Sequence, residues 1–256
     1  MADIRNKISR VYSLEQMSRG NTIIHRIHPM AKIIVTVVFV MCVALHGKYR
    51  VLSLSPLLFY PIIVTALAEI PGKKIFAQSL VALPFCVFLG ISNIVLDREI
   101  IVTIGNVAIS GGVVSSVAIV ARCILCVVAV LILVATTPFS KMTGQLIRMH
   151  VPELLVRLIE MIYRYLGVLA DEAYTMLAAY RLRSPGSKWP HIKDAGSFLG
   201  QLFIRSMNRA ERVYQAMICR GYGNNMNSFT GEQMKKEDYI YMIVVLVPLF
   251  LVTIFV

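Results

Sequence analysis

Two arginines stand where the longest amphipathic stretches of this chain should end: Arg183 in Leu182-Arg183-Ser184 and Arg220 in Cys219-Arg220-Gly221. A guanidinium stays charged and offers a planar fork of donors to carboxylates and carbonyls. The plainer chemistry is local, because a cation near a helix C-terminus complements the dipole by about 0.3–1 kcal/mol. Matching ends on two helices favour a paired device over that local reading. The other reactive side chains are scattered. His25-x-x-His28 has the spacing of a metal-ligand pair, but Pro29 follows it and would open a helix, which favours a capping or solvated role. Cys123-x-x-Cys126 sits inside "VARCILCVVAV" and reads as two small apolar residues of a span, not as a redox pair. Asp171-Glu172 has the type for acid–base work. It lies off the apolar seam of its helix and reads as a solvated face or an inter-helix salt bridge, as do Arg209 and Arg212 around Glu211. No phosphate-binding G-x-x-x-x-G-K-[ST] loop, HExxH pair or nucleophile elbow is present. We therefore expect no catalytic residue, no resident metal site and no cofactor in this chain.

The elements that must carry those tips are set by composition. Hydrophobic residues make up 57% of the chain, mean hydropathy is +0.70, and 16% of residues are charged, against about 25% in a typical soluble domain. Such an excess belongs in lipid, where a hydrocarbon core of roughly 30 Å takes about 20 apolar residues per helix. The first 29 residues are polar and basic without the apolar core of a secretory signal, so the first hydrophobic segment is expected to be a retained span. Five cysteines suggest no disulfide framework. We expect an all-α membrane protein with about five transmembrane helices, at 31–45, 51–68, 75–96, 113–136 and 239–256, the second containing Pro56 and Pro61. With the N-terminus in the cytoplasm, only Lys48, Arg50 and Arg98 of the 26 lysines and arginines fall outside, and Arg122 falls within a span. That asymmetry favours an N-inside orientation. It accounts for the net charge of +12 without a nucleic-acid site.

Residues 137–238 then form a long amphipathic insertion before the last span, giving three regions: 1–136, 137–238 and 239–256. A short helix ends near Pro152. Val156, Ile159, Tyr163, Leu166, Ala170, Ala173, Leu177 and Tyr180 follow at alternating spacings of three and four, a heptad seam. "RSPGSKWP" breaks the chain. A second seam runs through Leu199, Phe203, Ser206, Ala210, Val213, Met217 and Arg220, small in its middle, where the two helices could cross closely. Within the spans, Arg122 is a functional candidate by default. It reads equally as a structural ion pair or a snorkelling charge, with Glu69 as partner if the two end at the same depth. Gly111/Ser115 and Gly112/Ser116 form small-xxx-small pairs that let helices approach, either inside the chain or against another subunit, with internal packing the better of the two.

These endings, in order with "HRIHPMAKII", "ATTPFSKMTGQLIRMHVPELL", "YRYLGVLADEAYTMLAAYRLRS" and "RAERVYQAMICRGYG", resemble the transmembrane T component of energy-coupling factor transporters, in its cobalt/nickel, CbiQ-like branch. That family carries two Ala-Arg-Gly-like motifs at the tips of cytoplasmic coupling helices. Here both keep the arginine, neither has the alanine, and only the second has the glycine. The resemblance implies a non-catalytic subunit of a prokaryotic cell membrane, multi-pass, with the N-terminus and coupling helices cytoplasmic. It implies that two ATP-binding-cassette ATPases hold ATP and dock on the arginine tips. A separate substrate-binding membrane subunit holds Co²⁺ or Ni²⁺ and is reoriented by this chain. The same resemblance also accommodates a T component shared among vitamin-binding subunits. Outside the family, a membrane enzyme built on Asp171, Glu172 and Arg181 would need those side chains to converge, and a self-sufficient carrier would need ionisable residues in several spans.

Overall fold

The computed structural model describes residues 18, 20–46, 54–96, 100–104, 107–184, 190–221 and 234–255. The polar arm up to residue 17, the loop cations Lys48, Arg50 and Arg98, the break at 185–189 and Tyr222-Gly223 lie outside the described residues. The described residues gather into two compact units, one within Tyr12–Met142 and Glu232–Val256, the other within Thr143–Gly231.

The first unit is apolar. A single turn, α1 (Ile23–Arg26), precedes α2 (Pro29–Leu45). A 3-10 turn at Pro56–Leu58 leads into α3 (Phe59–Leu67). α4 (Gly72–Ser79), a 3-10 turn at Leu80–Ala82 and α5 (Leu83–Leu96) make one continuous path. A short antiparallel hairpin, β1 (Ile100–Ile104) and β2 (Val107–Ser110), precedes α6 (Gly111–Thr136). α10 (Lys236–Phe255) comes last, numbered after the helices of the other unit. α6 is the hub, touching α2, α3, α4, α5 and the hairpin. Two stretches are long and apolar enough to cross a membrane, Gly72–Ile94 and Val114–Thr136, each of 23 residues. Pro29–Leu45 and Pro56–Leu67 are apolar but shorter.

Several expected boundaries move, for physical reasons. The second apolar helix begins at Pro56, which opens the 3-10 turn, and Pro61 falls in the first turn of α3. Pro56, at the start of this path, interrupts no helix interior. Pro84 does act within the third span. It has no N–H to donate to Leu80, and Leu83 N–H bonds the Leu80 carbonyl instead, giving a 3-10 turn before α5. That span also starts earlier than expected, at Gly72 instead of residue 75, with Lys73 and Lys74 in its first turn. The hairpin is a short addition to an otherwise helical fold. Two β-branched runs, "IIVTI" and "VAIS", flank Gly105-Asn106 in the sequence, which is a hairpin signal that helix-period reading passes over.

The small-residue face packs inside the chain. Gly111, Gly112, Ser115 and Ser116 are buried, with α5 as the partner. A Cβ on Gly90 would lie 3.3 Å from the Ser116 Cβ, and Asn93 Nδ2 donates to Ser115 Oγ. Two apolar clusters fill the unit. One joins Phe39, Val43, Leu57, Leu125 and Leu249, with Tyr60 stacked on Phe39 at 4.6 Å between ring centroids. The other joins Ile24, Val64, Ile70, Ile75, Ile132 and Ala135.

A buried polar knot ties three helix ends beside that second cluster. Asp238 is 4% exposed. Its Oδ1 accepts from the backbone N–H of His28, the N-cap of α2, at 2.7 Å. Its Oδ2 accepts from the N–H of Lys235 at 2.7 Å, the reach-back of a capping box at the start of α10. Lys32, also 4% exposed, donates to the Thr136 carbonyl at 3.0 Å, at the C-terminal end of α6. An anion thus serves two helix N-termini and a cation serves one C-terminus, each complementing a dipole. The last helix begins at Lys236 rather than at the expected residue 239 because this carboxylate caps it.

Hydrogen bonds to a charged group are worth about 1.5–3 kcal/mol each. Asp238→Ala should therefore lower unfolding stability by about 3 kcal/mol or more. Asp238→Asn, which keeps one acceptor oxygen, should lose roughly half as much. Thermal unfolding in detergent measures both, and an Asp238→Ala protein that melts with the wild type would show that the knot holds nothing.

Candidate coupling site

The second unit is built on two long helices, α8 (Glu153–Arg183) and α9 (Ile192–Cys219), preceded by α7 (Phe139–Arg148). Pro152 sets the start of α8, and His150 before it adopts φ 64 as the chain leaves α7. Three sets of contacts order the pair. Tyr180 Oη donates to Asp194 Oδ2 at 2.8 Å. Glu172 meets Arg205 at 2.6 Å and Arg209 at 3.5 Å. A cavity of about 220 Å³ sets Val156, Glu160 and Met161 of α8 opposite Met217 of α9. As the α8 numbers fall the α9 numbers rise, so the helices run antiparallel. Their C-terminal ends therefore lie at opposite ends of the pair, roughly 40 Å apart at 1.5 Å per residue.

Each of those ends carries an arginine. Arg183 is the last residue of α8 and is exposed, next to Leu182 at 82% exposure. Ser184 caps the helix through its N–H to the Tyr180 carbonyl at 2.9 Å, with φ −123. Arg220 is the C-cap of α9, and its N–H bonds the Met217 carbonyl at 3.0 Å. Gly221 follows at φ 77, the left-handed conformation that lets a helix stop abruptly. The two tips therefore end differently: a left-handed glycine closes the second, and Ser184 cannot reproduce that turn. Cys219, Arg220 and Gly221 are all exposed. Among the described residues neither Arg183 nor Arg220 is ion-paired.

The heptad seams need correction. On α8, Val156 and Leu177 are buried and Tyr163 and Ala170 half-buried, but Ile159 and Leu166 face outward. On α9 no residue is buried. Its half-buried stripe runs through Leu202, Ser206, Arg209, Val213 and Met217, while Leu199 and Phe203 of the expected seam are exposed, Phe203 at 64%. A straight helix drifts about 20° per heptad, so an unsupercoiled pair in brief contact buries only part of a 3.5-residue pattern.

The other candidates separate cleanly. Glu172 is the inter-helix salt bridge that its position off the seam suggested, and Asp171 faces outward. Along α8, Asp171 and Glu172 stand ten and nine residues from Arg181, roughly 15 Å. Arg122 is half-buried within α6. Glu69 cannot be its partner, because Ile70 packs with Ile132 and Ala135, and Ile132 lies ten residues, about 15 Å, further along α6. His28 caps α2, its Nδ1 accepting from Met30 N–H at 3.2 Å, and His25 Nδ1 pairs with Thr22 Oγ1 at 2.6 Å. Among the described residues no three His, Cys, Asp or Glu side chains are grouped to hold a metal ion. Sequence reasoning missed Asp238 and Lys32 altogether. The one available signal was an acid three residues into a helix behind two lysines.

An apolar helical unit with two helices long enough to cross a membrane, in one chain with a polar, arginine-tipped helix pair, has the pattern of a membrane protein. Residues 20–229 match the family model CbiQ, cobalt transport protein, and the chain belongs to that family. Among curated proteins it is 25% identical to an uncharacterized protein of Methanocaldococcus jannaschii, over 90% of this chain and 81% of that one. It is also 25% identical to the energy-coupling factor transporter transmembrane protein EcfT of Bacillus selenitireducens, over 79% of this chain and 81% of that one. To the nickel permease LarQ of Lactiplantibacillus plantarum it is 28% identical, over 41% of this chain and 38% of the permease.

The Glu172 bridge gives the helix pair a pH dependence. The Arg205 hydrogen bond, aided by the charges of Arg205 and Arg209, holds its carboxyl below the usual carboxylate range. A depressed folded-state pKa contributes stability above the unfolded value of about 4.3, lost as pH falls through the folded value. A double-mutant cycle with Glu172→Gln and Arg205→Gln should give a favourable coupling at pH 7 that fades below about pH 4 and weakens in high salt. Coupling that is flat from pH 3 to 7 would rule the bridge out.

Proposed function

We propose that this chain is the transmembrane coupling component of an energy-coupling factor transporter that takes up cobalt or nickel. The observation that carries the proposal is the pair of exposed arginine tips at opposite ends of one antiparallel helix pair. Two docking points some 40 Å apart suit two copies of a soluble partner, one per tip. In this reading the partners are two cytoplasmic ATP-binding-cassette ATPases. Each seats an arginine in a groove rich in acceptors, with Leu182 adding apolar contact on the first tip. The chain itself does no catalysis. ATP is held by the ATPases, and the metal ion by a separate substrate-binding membrane subunit. Motion from the ATPases enters at the tips and passes along rigid helices toward the apolar unit.

The placement that goes with this reading has five crossings, with the first at Pro29–Leu45 and the last at Lys236–Phe255. The N-terminus and residues 137–238 lie on the cytoplasmic side of a prokaryotic cell membrane. The distribution of lysine and arginine supports that orientation. One observation favours a second reading of the cargo. The alignment to EcfT of Bacillus selenitireducens covers 79% of this chain, and that to the nickel permease 41%. In that reading the chain is a T component shared among several substrate-binding subunits, vitamin-specific ones included. Co-purification from the native operon separates the two by the identity of the membrane subunit recovered.

Arg183→Glu and Arg220→Glu should each impair transport, and the double variant should lose the ATPases in a pull-down while keeping its melting temperature. Truncating one partner of a buried charge pair costs about 2–5 kcal/mol, and reversal adds repulsion. Arg220 should matter more, because Gly221 fixes its helix end. If the arginines serve only the helix dipoles, each reversal costs roughly 1 kcal/mol of stability, and full ATPase recovery with the double variant would be the result. The placement has its own check: cysteines introduced at positions 48 and 188 of a cysteine-free protein should label from outside and inside, respectively, and external labelling at 188 would end the topology.

A further inference from the structure

One side of the apolar unit carries a groove between α3, α4 and α6 with a volume of about 520 Å³. Leu58, Ile62, Phe76, Ile124 and Val128 are among its walls. Ser55 and Thr65 supply its polar side chains, and the Thr65 hydroxyl already donates to the Pro61 carbonyl at 2.5 Å. The groove therefore offers a solute almost nothing to hydrogen-bond. Along α3 and the turn before it, the lining runs from Leu54 to Thr65, roughly 16 Å at 1.5 Å per residue. That is about half of a ~30 Å hydrocarbon core, the depth of one leaflet.

The end of the groove beside Thr65 is charged. It opens at Gly72, the first residue of α4, and Lys73 and Lys74 follow immediately, both exposed. Among the described residues neither lysine is ion-paired. Glu69, exposed in the preceding turn, leaves the end net positive. An apolar slot one leaflet deep, lined by the first residue of a helix whose next two residues are exposed lysines, has the charge pattern of an amphiphile with an anionic head.

We propose that this groove binds an anionic phospholipid of the cytoplasmic leaflet, with one acyl chain along α3 and the headgroup phosphate at Lys73 and Lys74. The inference rests on the membrane placement of this unit and not on which subunits dock elsewhere. Lysines at a membrane surface attract anionic lipid, and Glu69 offsets part of that.

Native mass spectrometry of the full-length protein in detergent, titrated with phosphatidylglycerol or phosphatidylcholine of the same chains, tests this. We expect phosphatidylglycerol to be retained on the order of tenfold more tightly. Lys73→Gln/Lys74→Gln should bring the two lipids to parity without changing phosphatidylcholine binding. Leu58→Trp, which fills the groove from an exposed position, should weaken both. Glycerophosphoglycerol, the headgroup without chains, should not compete. Equal binding of the two lipids by the wild type, or a lysine variant that keeps its preference, would overturn the proposal. So would competition by the chainless headgroup, or loss of phosphatidylglycerol when a membrane partner co-purifies in its place. If Leu58→Trp fails to fold, the surface lysine variant decides alone.

Discussion

The apolar unit depends on one buried carboxylate. Helices in lipid gain little from the hydrophobic effect against one another, because their neighbours are as apolar as they are. What fixes their ends is polar. Asp238 joins the first turns of α2 and α10 through two backbone N–H groups, although the two helices are about as far apart in sequence as this chain allows. Lys32, one turn into α2, closes the end of α6. A buried charge is costly unless paired and hydrogen-bonded. Here each charge meets helix-terminal groups that would themselves be unsatisfied. The ends of α2, α6 and α10 are thereby held in register, and the packing of Phe39, Leu125 and Leu249 between them follows.

Away from those ends, close approach does the work that charge does at them. Gly90 and Ser116 let α5 and α6 meet nearly backbone to backbone, and Asn93 with Ser115 adds a side-chain hydrogen bond in the same seam. Polar contacts of this kind in membranes are worth about 0.6–2 kcal/mol, less than the terminal charges, so they tune a packing that the small residues permit.

The helix pair of the second unit obeys the opposite rule. α9 buries no residue, and Leu182, Ile192 and Phe203 stand exposed at 82%, 95% and 64%. The pair is held to itself by Glu172 with Arg205 and Arg209, and by Tyr180 with Asp194. Bridges that are this exposed contribute modestly. They set the crossing of two rods without sealing them, and they leave apolar surface and two arginine tips free for other molecules.

The sequence by itself determined the class. Apolar composition, the charge asymmetry and the long amphipathic insertion are properties of residue type and spacing, and Arg183 and Arg220 could be placed at helix ends because Ser-Pro-Gly and Gly-Tyr-Gly stop helices wherever they occur. Local periodicity likewise gave α8 and α9 and the role of His28 before Pro29. Tertiary structure alone decided what depends on distance between remote segments: that Asp238 meets His28, that Glu69 lies too far along α6 to pair with Arg122, and that Gly90 rather than another chain faces Ser116. It also decided which half of each heptad seam is covered, since a 3.5-residue pattern marks a stripe but not how far a straight partner follows it. The hairpin at 100–110 was legible in its β-branched runs around Gly105-Asn106, and was missed because membrane composition directs the eye to a period of 3.6. Pairings across more than a hundred residues leave no spacing signal in a single sequence, because the chain between them can be of any length.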